Sequence, residues 1–525
     1  MTNSRPIKYH RIYFGIIAII ITSILIGVFS EIIVYFNSGA DRKTALNIPP
    51  NLPETHVPSI KWLADDVETG REMEDFTRNQ IIGDYIRGWY QQHLSYASNE
   101  VIGLKEYFTP SALPKIVNYI KKLKNNGFQL YQTDLQHNIN LHFYSADGQI
   151  VSFTDKQLVT KQRLYRKDTR EQIFVGETSN DYDVVMLLDD GYWRVKNCVR
   201  KAPSEINEEN QIANKDSMVQ VRGKQFFLGE VPFVPKGVNY YPKKTPWTFF
   251  WTKYESKIIK KDFALTRSLG FNTVRIFINF HDFNKGNVPI ERLEQLQNLL
   301  DHAQEEGIKV IITLFDFMGD YSLLNFTASD RQLESILYRF RNHPAIFAWD
   351  LKNEPDLDYK YHPVQDVQEW LVWMLKRAKK YDPNHLFTVG WAYPQNVDFL
   401  SEELDFVSFH SYKPIDVLSG EIDIMQAKIK NKPLVLEEFG LSTYKGLWLP
   451  FGKSEQEQAD YFSSVKAILK KKGNIPYLAW TLYDFSEVPS GVVGKMPWNK
   501  NPQKNFGIIS QNGKVKPAAK ILGSE

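Results

Sequence analysis

The chain has 525 residues, a formal net charge of +3, 43% hydrophobic and 24% charged residues. That length exceeds one compact core and predicts two or three folded units. The composition excludes a disordered chain, and the near-neutral balance leaves no basic footprint for nucleic acid. A single cysteine, Cys198, excludes an intrachain disulfide.

In chain order, the first element is an apolar run from Ile12 to Ser30, interrupted by Glu31 and resumed as Ile-Ile-Val-Tyr-Phe to Phe36. A helix of about 20 apolar residues crosses a bilayer, whereas the apolar region of a signal peptide is usually about 7 to 15 residues and ends in a small-residue cleavage site. The run therefore predicts an uncleaved anchor, with residues 1–37 forming a tail and a transmembrane helix. Arg5, Lys8 and Arg11 precede it, so the positive-inside rule keeps the N-terminus cytoplasmic and places everything after Asn37 outside the cell membrane. Residues 38–59, with Asn-Ile-Pro-Pro-Asn-Leu-Pro at their centre, read as a linker.

Residues 60–200 predict a smaller α+β domain. Phe76, Ile82, Tyr85, Ile86, Trp89 and Tyr90 recur at helical spacing, and Leu113, Ile116, Val117 and Ile120 mark a second helix. Alternating strands follow, with turns at Asp147-Gly148 and Asp190-Gly191. Two helices and then an antiparallel sheet ending in Gly-Tyr-Trp-Arg-Val, Gly191 to Val195, resembles the nuclear transport factor 2-like fold. No convergent acid/base set is visible in this stretch. The expectation is a scaffold module with a surface for a protein partner. A charged segment, residues 201–217, separates it from the rest.

From residue 218 to the C-terminus, short apolar strands alternate with amphipathic helices. The strands are Phe233–Tyr240, Thr273–Phe280, Ile308–Asp316, Ala345–Asn353, Leu386–Trp391, Leu404–Tyr412, Pro433–Phe439 and Pro476–Leu482. The helices between them are Lys257–Leu269, Ile290–Glu306, Asp330–Arg341, Val364–Lys380 and Gln456–Lys471. Such alternation predicts parallel pairing through crossovers, and eight units in about 300 residues predict an α/β fold of the (β/α)8 barrel type. No Gly-x-Gly-x-x-Gly or Walker-type loop follows a strand, so nothing points to a nucleotide.

Functional residues of such a barrel collect at the C-terminal ends of its strands. The fourth strand ends in Trp-Asp-Leu-Lys-Asn-Glu-Pro, Trp349 to Pro355, and the seventh in Leu-Val-Leu-Glu-Glu-Phe-Gly, Leu434 to Gly440. Two carboxyls facing one another across the mouth are what glycosidic cleavage needs, one protonated and one ionised. A lone glutamate at a strand end is more often an ion-pair or capping residue; one at each of two ends reverses that reading. Glu437 and Glu438 cannot both face inward on a regular strand. Glu438 shares its face with Leu436 and is preferred.

Asn353-Glu354-Pro355, with Asn342-His343-Pro344-Ala345-Ile346 upstream, resembles the fourth-strand signature of clan A glycoside hydrolases, nearest to family 5. Glu438-Phe439-Gly440 resembles the seventh-strand motif of that family. The resemblance implies Glu354 as acid/base, Glu438 as nucleophile and Arg275 as the arginine bracing it. It implies His410 and Tyr412 as the family's His-x-Tyr, Trp480 as the cleft-floor tryptophan and Asn353 as a sugar 2-hydroxyl contact. Asn239 and Trp391, at the ends of the first and fifth strands, are further candidates. Where many members carry a histidine after the third strand, this chain has Asp316, which the resemblance places in the cleft. The aromatic segment Tyr240 to Trp251 either lines sugar subsites or covers the rim.

The activity implied is retaining hydrolysis of a β-linked glucan or mannan through a covalent glycosyl-enzyme, with a polysaccharide or oligosaccharide as partner. A transglycosylase would use the same residues. A non-catalytic polysaccharide-binding component of an export or synthesis assembly is the reading from another class. An acid and a nucleophile suffice for this chemistry, so no cofactor or metal is implied.

Overall fold

The computed structural model describes Thr22 and residues 52–204 and 217–524. The chain divides into two units, Met1–Pro53 and Glu54–Glu525. The predicted anchor, apart from Thr22, and the linker residues 38–51 and 205–216 lie outside the described residues. Among the described residues no helix is long and apolar enough to cross a membrane.

The second unit opens with strand β1 (Ser59–Trp62) and helices α1 (Asp75–Ser98) and α2 (Leu113–Asn125). Strands β2 (Phe128–Tyr144), β3 (Ile150–Arg166), β4 (Gln172–Asp189) and β5 (Tyr192–Lys201) follow. β2 to β5 pair antiparallel in sequence order, and β1 adds parallel to β2. The four residues Ser-Ile-Lys-Trp of β1 are too few to carry a readable alternation. α1 lays Ile81, Ile82, Tyr85 and Ile86 on the sheet, whereas Phe76, read as part of that face, is exposed. Gly148 and Gly191 make the expected turns at φ of +72° and +80°, values that cost glycine little.

Eight parallel strands close a barrel in the order β9 (Lys236–Asn239), β10 (Thr273–Asn279), β11 (Lys309–Asp316), β12 (Ile346–Asn353), β13 (Leu386–Trp391), β14 (Val407–Ser411), β15 (Leu434–Phe439) and β16 (Tyr477–Ala479). β10 is buried at every position, the outcome for a strand covered on both faces. The predicted first strand, Phe233–Tyr240, is in fact two. An antiparallel sheet of β6 (Val219–Arg222), β7 (Gln225–Leu228) and β8 (Val231–Phe233) precedes β9. It plugs the N-terminal end of the barrel, where Phe226 meets Phe347 and Phe406 edge-on at 5.0 and 5.2 Å.

Helices α3 (Ser256–Ser268) and α4 (Ile290–Glu305) follow β9 and β10. The helix predicted over Asp330–Arg341 starts earlier, as α5 (Asn325–Leu333), and runs on into a π-helical turn, Glu334–Tyr338. All nine residues of α5 are buried, polar ones included, because β2 of the first sheet lies across it. Thr133 and Thr327 share a hydrogen bond of 2.6 Å, and the Thr327 hydroxyl donates to the Asp134 carbonyl at 2.9 Å. Helix α6 (Val364–Tyr381) completes this seam. Arg377 donates to Asp330 at 2.7 Å on the neighbouring helix and to Gln136 at 3.0 Å on β2. Lys161 and Arg163 of β3 converge on Glu369 at 2.8 and 3.1 Å, with the Lys161 ammonium 3.7 Å from the Trp373 ring centre. Over β2 and β3 the first sheet is thus covered by helices of the chain's own barrel.

Lys161 has no exposed surface, and burial pulls its ammonium down to about 8 against the pull of Glu369. Removing one partner of a buried ion pair leaves an uncompensated charge, which costs about 3–5 kcal/mol. Glu369→Ala should therefore destabilise sheet and barrel together, lowering one shared calorimetric transition. Lys161→Met combined with Glu369→Leu should recover much of the loss. Two resolved transitions in the single variant would show that the seam does not couple the two parts.

Candidate active site

The C-terminal ends of the barrel strands direct polar side chains at one buried cation. Arg275 of β10 has no exposed surface. Its Nη1 donates to Asn239 on β9 and to Glu438 Oε2 on β15, both at 3.1 Å. Its Nη2 donates to Asp350 at 2.6 Å and to Asn353 at 2.9 Å, both on β12. Burial works against this guanidinium's charge, but Glu437, Asp350 and Glu438 outweigh it and hold the group firmly protonated.

Glu354 follows β12 with φ +45° and ψ +52°, a left-handed backbone that non-glycine residues rarely adopt and that costs on the order of 1–3 kcal/mol. Its amide donates to the Gly390 carbonyl at 2.8 Å, which helps to hold it there. Its Oε1 lies 2.9 Å from Nδ1 of His410 on β14. Burial opposes ionisation of Glu354, yet the hydrogen bond and charge of His410 hold its carboxyl below the ordinary range. The imidazole is raised to about 10, because Glu438 and Glu354 outweigh its burial. The proton of this pair is thus carried by His410, facing an ionised Glu354. Burial raises Glu438 in turn, against His410 and Arg275 and against the Tyr412 hydroxyl, which donates to Glu438 Oε1 at 2.6 Å.

The structure corrects two expectations. Regular alternation keeps Glu437 off the face of Glu438, but both reach the same cluster. Glu437 is fully buried, 3.7 Å from Arg275 Nε and 3.9 Å from His410 Nε2. The register of β15 slips against β14 between Phe409 and His410 and against β16 between Leu436 and Phe439, and such a slip re-aims a side chain. Trp391 does not reach the mouth. On β13 the inward position belongs to Gly390, where a Cβ would stand 2.8 Å from His410 and 2.9 Å from Glu437. Trp391 packs in the core with Phe399.

Trp480 directly follows β16 but is only 5% exposed, its ring set against Tyr241, Trp247, Phe277 and Phe485. The segment Tyr240 to Trp251 supplies part of this aromatic collar: Tyr241 stacks on Phe277 at 5.1 Å, and the Trp251 indole donates to the Phe277 carbonyl at 2.8 Å. Asp316 lies beside the Tyr241 hydroxyl at 3.5 Å, and burial lifts its carboxyl to about 7. Asp350 and Lys352 are the cluster members that sequence reasoning missed, and Glu437 is the one it set aside in favour of Glu438. Asp350 had a readable signal, since on a period-two strand it is in phase with Glu354, four residues on. Lys352, nearly buried and paired with Asp358 at 3.3 Å, is a charge that lowers both Asp316 and Glu354.

Glu354, His410 and Glu438 each bring a donor atom within 4.8 Å of the others, a spacing that also suits a metal ion. Each already has a partner here: His410 on Glu354, and Arg275 and Tyr412 on Glu438. The positive charge that a cation would bring is supplied by Arg275 and His410.

A family model, cellulase (glycosyl hydrolase family 5), matches residues 235–486. This stretch is a family 5 glycosyl hydrolase domain. Curated relatives include mannan endo-1,4-beta-mannosidase 1 of Oryza sativa subsp. japonica, 24% identical over 341 residues that cover 50% of this chain and 76% of that protein. Mannan endo-1,4-beta-mannosidase A of Podospora anserina is 27% identical over 28% of this chain and 51% of its own length. A beta-glucuronidase of Chlorocebus aethiops is 24% identical over 58% of this chain and 45% of its own length. Of the last two relatives the chain spans about half. Among solved structures, the exo-beta-1,4-mannosidase Op5Man5 from Opitutaceae bacterium strain TAV5 matches with a TM-score of 0.49 at 21% identity, covering 58% of this chain and 61% of that one.

Two measurements probe the cluster. A methyl at Gly390 would crowd His410, Glu437 and Arg275, and overpacking costs about 1–3 kcal/mol. Gly390→Ala should lower turnover roughly tenfold or more; unchanged turnover would mean that the cluster yields without cost. The second concerns Asp316, whose folded pKa of about 7 exceeds the ordinary 3.8. Its relative contribution is fully present below pH 3.8 and is lost as pH rises through about 7. Asp316→Asn should leave the melting temperature nearly unchanged at pH 4 and raise it relative to the parent at pH 8. A gap that does not widen with pH would refute the buried, protonated carboxyl.

Proposed function

We propose that the barrel is a retaining β-glycoside hydrolase that cleaves a β-linked mannan or glucan by double displacement, with Glu438 as nucleophile and Glu354 as acid/base. The observation that carries this reading is the short gap between the two acids, whose nearest oxygens lie within 4.8 Å. Retaining enzymes hold their carboxyls about 5–5.5 Å apart, whereas inverting enzymes need about 6.5–9.5 Å to admit a water. In the first step a Glu438 oxygen bonds to the anomeric carbon while the glycosidic C–O bond breaks. Glu354 passes to the leaving oxygen a proton that it draws from His410 across their 2.9 Å contact. In the second step Glu354, now ionised, takes a proton from water; that oxygen bonds to the anomeric carbon and the Glu438 ester opens. Arg275 and Tyr412 hold Glu438 by one oxygen each, which fixes its approach. The Asn353 Nδ2 has no hydrogen-bond partner among the described residues and is suited to a sugar 2-hydroxyl.

The relatives named endo-1,4-β-mannosidases favour a mannan. The apolar run Ile12–Phe36 with its basic flank supports a membrane-anchored enzyme acting outside the cytoplasmic membrane.

Proton NMR of the first-formed product on an aryl β-mannoside or β-glucoside should show retained configuration. Glu438→Gln should lose turnover by several orders of magnitude whatever the leaving group. Glu354→Ala should retain the first step on activated aryl leaving groups and be accelerated by azide, giving a glycosyl azide of retained configuration. An inverted first product, or azide rescue of the Glu438 variant with retention, would overturn the assignment.

A further inference from the structure

The loops that leave β15 and β16 carry a feature that the hydrolytic chemistry does not use. Residues 440–454 follow the strand of Glu438, and residues 485–505 follow that of Trp480, so both rise from the barrel mouth. They are fastened to each other: the Thr443 amide donates to the Asn505 carbonyl at 2.8 Å, Ser442 to the Pro502 carbonyl at 2.7 Å, and Asn501 to the Tyr444 hydroxyl at 3.2 Å. Below them Phe506 meets Tyr412, the residue on Glu438, with ring centres 6.0 Å apart.

At the crest these loops turn apolar side chains to solvent. Leu447 is 84% and Phe451 93% exposed, and Trp448, Leu449, Met496 and Trp498 are exposed with them. The turn is closed by reciprocal amide hydrogen bonds between Gly446 and Leu449. Gly452 takes a position where a Cβ would lie 1.9 Å from the Tyr444 carbonyl. The Trp448 and Trp498 rings meet at 5.8 Å, which joins the two loops into one patch. Contiguous exposed apolar surface of this kind marks an interaction site.

The charges on these loops are predominantly positive, Glu487 being the single acidic residue in 440–454 and 485–505. Lys445, Lys453, Lys495, Lys500 and Lys504 lie on these loops, and neither residues 439–454 nor residues 488–524 contain an aspartate or glutamate. Lys453 pairs with Glu457 and Lys500 with Ser490. Lys445, Lys495 and Lys504 have no partner among the described residues. A glycan stacks on flat aromatic faces, which Leu447, Leu449 and Met496 lack. Aliphatic and aromatic side chains at a tip, a tryptophan pair, and unpaired lysines around them match the interface of an anionic bilayer: apolar groups enter the headgroup boundary, and the lysines are drawn to its negative surface.

We propose that this rim is a membrane-docking surface, seating the barrel mouth on anionic phospholipid headgroups. The contact stands on this patch alone and does not depend on which sugar is cleaved. Its consequence is that the glycan within reach of Glu354 and Glu438 is one carried at a bilayer surface.

The full chain, in a Cys198→Ser background, can carry an environment-sensitive fluorophore on Phe451→Cys and, separately, on Val231→Cys in the sheet at the opposite end of the barrel. In phosphatidylcholine vesicles containing phosphatidylglycerol, the label at 451 should shift to the blue and be quenched by nitroxide lipid, while that at 231 should not. Combining Lys445→Glu, Lys495→Glu and Lys504→Glu should cut the quenching at 451 at least severalfold and leave turnover of a small aryl glycoside unchanged. Four outcomes would overturn the proposal: no quenching at 451, equal quenching at both sites, quenching just as strong in pure phosphatidylcholine, or a blue shift produced by a soluble manno-oligosaccharide in place of vesicles. The last would make the rim a glycan subsite.

Discussion

A guanidinium with no exposed surface has nowhere to place its charge except on neighbours, and Arg275 has four of them drawn from three strands. That requirement orders the mouth of the barrel. Asp350 is held on its other side by Thr313 at 2.7 Å and by the Gly390 amide at 3.0 Å, so β11 and β13 are bound into the same network. Asn239 reaches onward to the Glu437 carbonyl at 2.9 Å. Glu438 receives its orientation from this arrangement and from Tyr412. Charges held in a dry site are worth far more than in water, and here they are in place before any substrate arrives.

The barrel is supported asymmetrically. On the side of α5 and α6 its helices are not the outer layer, because the first sheet covers them. The cover is polar, built from Thr133, Gln136, Lys161 and Arg163 meeting Thr327, Arg377 and Glu369. A seam of this sort gives less free energy per area than an apolar one, yet it fixes register sharply, since each buried charge tolerates only its partner. α5 follows β11, which ends at Asp316, and α6 follows β12, which ends beside Glu354. The first sheet thus backs the two strands that deliver an acid to the mouth on that side.

Much of this arrangement is legible in the residues. Eight apolar runs separated by helical periods predict the closed barrel, and Asn353-Glu354-Pro355 with Glu438-Phe439-Gly440 predicts where its polar groups gather. His410 and Tyr412 were reachable through their resemblance to the family's His-x-Tyr after the sixth strand. Glu437 was not, because a register slip breaks the period-two rule and nothing local in Leu-Glu-Glu-Phe announces it. Trp391 misled for the opposite reason: its neighbour Gly390 holds the inward position, and a glycine offers no side chain to read. The seam with the first sheet was invisible because Lys161 and Arg163 look like the solvent face of an ordinary strand. Their burial depends on a helix far along the chain.

That separation has a consequence for how the protein is made. Arg163 waits for a partner 206 residues further on, Thr133 for one 194 residues on, and Gln136 for one 241 residues on. The first sheet emerges from the ribosome early, long before α6 exists, so its lysine and arginine begin as hydrated cations on an open face. Water is expelled from that face only when the fourth strand of the barrel and its helix have been synthesised. The nascent chain must therefore carry an uncovered sheet while residues 202–381 are synthesised, and the polar character of the seam is what keeps that intermediate from sticking to its neighbours.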